Sequence, residues 1–137
     1  MNTNKIHQFE TFKETTKIIQ DVEVAINEKG ILFDKDCCLD MKKIYQEYNI
    51  DLPQGFDVRM MRICNPQRSS QALFKNPERA MLTPRFLTFF KKEDKTQIRF
   101  LDLGTETITA LLDDPEFSKT YSQFNHTIVE IVKKCLV

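Results

Sequence analysis

Apolar residues recur along the chain with two distinct periods, and the switches between those periods divide it into elements. Residues 5–10 alternate weakly through Ile6 and Phe9, which predicts a short first strand, and Thr11-Phe12-Lys13-Glu14 has the spacing of a capping box at a helix start. Beyond Thr15, the positions Ile18, Ile19, Val22, Ala25 and Ile26 step by three and four residues, as one helical face does, and Gly30 stands where a left-handed helix end favours glycine. An alternation beginning at Ile31 continues through Phe33, Cys37 and Leu39 and predicts a second strand, with Cys38 turned the other way. Asp40 is placed to cap a short helix carrying Met41, Ile44, Tyr45 and Tyr48, which ends before the turn Asp51-Leu52-Pro53-Gln54-Gly55.

The second half is more sharply punctuated. Val58 to Cys64 is apolar on both alternating faces, which suits a central strand with both faces covered. Cys64-Asn65-Pro66 reads as strand end, helix cap and first helical residue, and that helix stops near Asn76-Pro77. Phe86–Phe90 and Gln97–Leu101 flank the charged run 91–95, which predicts a hairpin with a solvated loop. A short helix follows Thr105. Asp114 and Pro115 then open the longest helix, marked by Phe117, Tyr121, Phe124, Ile128, Ile131 and Cys135. The order β-α-β-α-β-α-β-β-α-α, without repeats or linkers, predicts a single α+β domain over residues 1–137, an antiparallel sheet of four to five strands backed by helices.

Composition narrows the function classes. Twenty Lys and Arg balance twenty Asp and Glu, so no net field gathers nucleic acid or anionic lipid, and neither is expected as a partner. The polar start and the lack of a long apolar run predict a cytoplasmic protein with no membrane partner. Cys37, Cys38, Cys64 and Cys135 lack the paired spacing of zinc sites, and His7 and His126, read as surface residues, cannot supply a triad or metal centre. No metal or cofactor is expected.

The order Gly30-Ile31, Asp40, Arg62-Ile63-Cys64-Asn65-Pro66, Pro77 and Leu82-x-Pro84 before the hairpin resembles a bacterial domain-of-unknown-function family, number three hundred and two. Its most specific piece is Cys64-Asn65-Pro66 followed eighteen residues later by Pro84. The resemblance spans nearly the whole chain. It implies a curved antiparallel sheet packed with helices, similar to the TATA-box-binding-protein class, and a homodimer, but no activity. Many relatives carry Cys or another small residue after the second proline where this chain has Arg85, so two-thiol chemistry is not implied here.

Four residues are candidate site residues. Cys64 precedes a helix N-terminus, whose positive end would favour a thiolate, although a cysteine ending an apolar run also suits packing. Asn65 opens a first turn with unpaired N–H groups, suited either to a small anion or simply to being capped by Asn65 itself. Arg85 would supply the counter-charge. Asp40 is a general base if it lies close by, and a helix cap otherwise. Phe86, Phe89, Phe90 and Phe100 are expected in the core or at a dimer interface, and the two apolar faces of the 86–90 strand point to a homodimer. The leading expectation is a homodimeric ligand-binding or regulatory module, not an enzyme, taking a small anionic ligand. The alternatives are a thiol-dependent redox protein using Cys64 and a protein-interaction subunit using the strands or the long C-terminal helix, the latter favoured by an exposed apolar stripe on residues 117–136.

Overall fold

A computed structural model describes residues 3–31 and 38–137 of the chain. Five strands, β1 (Lys5–Thr11), β2 (Cys38–Asp40), β3 (Val58–Ile63), β4 (Arg85–Lys92) and β5 (Lys95–Asp102), form one antiparallel sheet in the order β1-β5-β4-β3-β2. The helices are α1 (Thr15–Glu28), α2 (Met41–Glu47), α3 (Pro66–Lys75), α4 (Thr105–Leu112) and α5 (Pro115–Cys135), with a 3₁₀ turn at Pro77–Met81. The protein is α+β, as its sequence pattern predicts.

The core lies between one face of the sheet and the helix pair α1 and α5. From α1 come Ile18, Val22 and Ile26, from α5 Ile128 and Val132, and from the sheet Met61, Ile63, Leu87, Phe89, Ile98 and Phe100, all at most 1% exposed. A smaller apolar cluster, Ile108, Phe117 and Tyr121, ties α4 to the first half of α5. The helical faces read from the sequence are the buried ones, because only that stripe of each helix can leave water.

Several expectations are corrected. Thr11 ends β1 and does not cap α1; its hydroxyl donates to the Leu136 carbonyl (2.8 Å), and Glu14 holds the N-cap position without a side-chain bond. The 91–95 run is not an open loop: β4 and β5 continue to Lys92 and Lys95, leaving a two-residue turn in which Glu93 takes φ 59°. The strand expected from Ile31 through Phe33 and Cys37 lies largely outside the described residues. Its described part, β2, pairs Cys38 with the buried Met61, so Cys38 packs against the core and Leu39 is exposed, the reverse of the expected facing. Pairing with β3, not alternation carried over from Ile31, sets that register.

Helices cover only one face of most of the sheet. On the other face Ile6 (55% exposed) pairs with Leu101 (54%), and Phe86 (40%) follows on β4. Phe89 and Phe100 are in the core, whereas Phe86 and Phe90 alternate to the outside. Thus β3 is flanked by strands on both sides, but Val58 and Met60 on its outer face are only half-buried and not sealed as expected.

Candidate functional site

A cleft of about 330 Å³ opens where β3 ends and β4 begins, between α3 on one side and the first half of α5 on the other. Local chemistry fixes its walls. Asn65 caps α3, its Oδ1 accepting the Arg68 N–H at 3.3 Å, with Pro66 in the first turn. Asp114 caps α5, accepting the Phe117 N–H at 3.2 Å. The same carboxylate binds Arg79 of the 3₁₀ turn, with Nη2 to Oδ1 at 2.9 Å and Nε to Oδ2, and accepts the Asn76 amide at 3.1 Å. Arg79 and Asp114 are both buried, so this fork clamps the α3 side of the cleft to the α5 side. The Arg79 guanidinium holds the Asp114 carboxyl down at about 2. At the rim Lys75 pairs with Glu116 at 3.0 Å.

Arg85, the first residue of β4, is a second buried cation in the wall at 7% exposure. Its Nε donates to Asn125 Oδ1 (2.9 Å), its Nη1 to the carbonyls of Thr83 (2.6 Å) and Leu82 (3.2 Å), and its Nη2 to the carbonyl of Tyr121 (3.4 Å). The guanidinium lies over the Tyr121 ring at 4.0 Å and near that of Phe124 at 5.2 Å. Every one of these acceptors is neutral. Burial pulls Arg85 down to about 10, which leaves it cationic at neutral pH.

Behind Arg85 a polar chain crosses the molecule. Asn125, fully buried on α5, donates through Nδ2 to Asp102 Oδ1 at 2.8 Å, and Asp102 Oδ2 is bonded to His7 Nε2 at 3.0 Å. His7 and Asp102 line a second pocket of about 280 Å³ on the far side of α5, together with Lys5 and His126. His7 is therefore not the surface residue expected. It sits half-buried on a full edge strand, near the rings of Phe9 and Phe100.

Of the four residues singled out in the sequence, the structure brings three together: Cys64, Asn65 and Arg85 line the cleft. Cys64 is half-buried and its Sγ donates to Ser69 Oγ at 3.3 Å. The α3 N-terminus itself is largely satisfied, since Pro66 has no N–H, Asn65 Oδ1 takes that of Arg68 and the Asn65 carbonyl takes that of Ser69. Asp40 stands apart on edge strand β2, capping α2 through the N–H groups of Lys42 and Lys43, and is not among the cleft residues. The reading of the sequence passed over Arg79, Asp114 as a partner, and Asn125. The signal for Asn125 was present, because it lies four residues after Tyr121 and three before Ile128, a polar residue on a buried stripe. Among the described residues no group of His, Cys, Asp and Glu is arranged to hold a metal ion, and no helix is long and apolar enough to cross a membrane.

Comparison with known proteins agrees with this architecture. No curated protein matches the chain. A crystal structure of an uncharacterized conserved protein DUF302 from Bacillus stearothermophilus superposes with a TM-score of 0.78 at 15% identity, over 95% of this chain and 97% of that one. The family model for "Domain of unknown function DUF302" matches residues 7–135, and the chain therefore belongs to the DUF302 family.

Proposed function

We propose that this protein is a homodimeric ligand-binding or regulatory module, without catalysis of its own, that holds a small anion in the cleft between α3 and α5. The observation that carries this reading is the Arg85 guanidinium: a buried cation lining a cleft, hydrogen-bonded only to neutral acceptors. Desolvating a charge is costly unless an opposite charge approaches it, and the Asp102 carboxylate is linked to Arg85 only across the Asn125 amide, so an anion in the cleft gains a preformed partner. Arg68, exposed in the first turn of α3, adds a second cation at the rim, while Lys75 and Arg79 are already engaged by Glu116 and Asp114. The test is the unfolding temperature in chloride against phosphate, sulfate and acetate at matched ionic strength. A rise with at least one of these, reduced by Arg68→Ala, is expected from binding to the folded state alone; identical temperatures in all four salts would sink the reading.

The homodimer rests on the exposed row Ile6, Leu101 and Phe86. At roughly 4.8 Å between strands and 3.3 Å per residue, the outer sheet face spans on the order of 600 Å², close to the ~800 Å² per partner of a stable interface. A two-fold pairing of this face with itself would cover it.

One observation keeps the thiol reading as a second possibility: Cys64 borders the cleft beside Arg85. Native-state alkylation mapped by mass spectrometry decides it, since a redox role requires Cys64 to label well before unfolding. For the interaction-subunit reading, Ile128, Ile131 and Cys135 of the α5 stripe are buried within the chain, which leaves the exposed strand row Ile6, Leu101 and Phe86 as the surface it would use.

A further inference from the structure

We infer that the ligand of this cleft is a small carboxylic acid with an apolar body, an alkanoate or similar monoanion of up to about ten non-hydrogen atoms, and not a phosphate. The inference deepens the anion reading and depends on it. Its first support is a count of donors. A guanidinium carries five N–H groups, and at Arg85 four are taken by Asn125, Leu82, Thr83 and Tyr121. One N–H on Nη2 remains. It can meet a single oxygen of a carboxylate, but alone it cannot make the forked, several-oxygen contact by which proteins grip a phosphoryl group, and the second cation, Arg68, stands exposed at the rim where water screens it. The α3 N-terminus does not make up the deficit, since the Arg68 and Ser69 N–H groups are bonded to Asn65, Pro66 has none, and Gln67 is not among the residues lining the cleft.

The second support is the apolar part of the lining. Phe117, 4% exposed, and the partly buried Phe124 and Ala72 stand with Arg85 along the cleft, while the polar residues Arg68, Gln71 and Gln123 are exposed and form its rim. A hydrated dianion would have to shed water against these rings with little in return, whereas an alkyl or aryl tail gains by it. At roughly 30 Å³ per water-sized atom, the cleft of about 330 Å³ holds about ten non-hydrogen atoms.

The experiment is a calorimetric titration of the native protein with acetate, butanoate, hexanoate and octanoate, with inorganic phosphate and 1-hexanol beside them, at constant ionic strength. Affinity is expected to rise by about fourfold per methylene from acetate to hexanoate. Hexanol should bind at least tenfold more weakly than hexanoate, and phosphate should show no heat of binding. Ala72→Leu, which fills the cleft from a helical position, should weaken hexanoate at least tenfold while leaving the circular dichroism unchanged. If phosphate binds and the alkanoates do not tighten with length, the carboxylate inference falls while the anion reading stands. Should hexanol equal hexanoate, or no anion bind at all, both fall together. Retention of full hexanoate affinity by Ala72→Leu would place the ligand elsewhere and overturn the inference.

Discussion

Arg85 and Asn125 act as one unit. The Asn125 amide turns its oxygen to a buried cation and its nitrogen to the carboxylate of Asp102, so each end of the side chain faces a group of matching polarity. Replacing it with Ala leaves both neighbours short of a partner in a fully buried position. Asn125→Ala is therefore expected to cost about 2–3 kcal/mol in urea unfolding, more than removal of an ordinary exposed amide. The Arg79–Asp114 fork predicts a pH dependence. The Asp114 carboxyl, normally near 3.8, is held at about 2, so the stability it contributes is present above about pH 4 and is lost as pH falls towards 2. Unfolding free energy followed from pH 5 to pH 2 should drop more steeply in the wild type than in Asp114→Asn, which keeps an acceptor for the helix cap but cannot titrate.

Among the elements, those announced by punctuation were the most legible. Asn65-Pro66 and Asp114-Pro115 each open a helix where the sequence places them, because a cap and a proline at the first turn depend on a few consecutive residues. The capping box at Thr11 failed for a non-local reason. Pairing with β5 holds Thr11 in the strand, so its hydroxyl donates to the Leu136 carbonyl, accepts the Lys13 N–H two residues on, and lies short of a helix that starts at Thr15. The hairpin was foreseen as a pair of strands but not as a tight turn, since the charged run carries no glycine to mark one. Glu93 adopts φ 59° without the freedom of glycine. Glu93→Gly is thus expected to raise stability by about 1 kcal/mol, read as a shift in the urea midpoint at unchanged slope. The candidate site was half legible for the same reason. Cys64, Asn65 and Arg85 lie at strand ends the pattern could locate, while Asn125 and the Arg79–Asp114 pair depend on how α3 and α5 approach each other.

For the whole molecule, the proposed homodimer turns on the sheet's outer face. Leu101→Lys places a charge in the middle of the row with Ile6 and Phe86, on a side chain already 54% exposed, so the fold should be unaffected while self-association is lost. Light scattering is expected to give twice the 16.2 kDa monomer mass for the wild type and the monomer mass for the variant; a wild-type monomer at micromolar concentration would refute the dimer. The strand order has a different consequence, one of timing. Among the described residues β1 pairs only with β5, and His7 meets Asp102 across 95 residues. A chain emerging from the ribosome therefore carries its first strand through most of synthesis without a mate, until the hairpin it must join has been released. The hairpin itself needs only local closure, whereas β1 must close a loop of about ninety residues, so its amides should be the last of the sheet to gain protection from hydrogen exchange on refolding. Until then β1 is an open edge, available to the β5 of a neighbouring nascent chain.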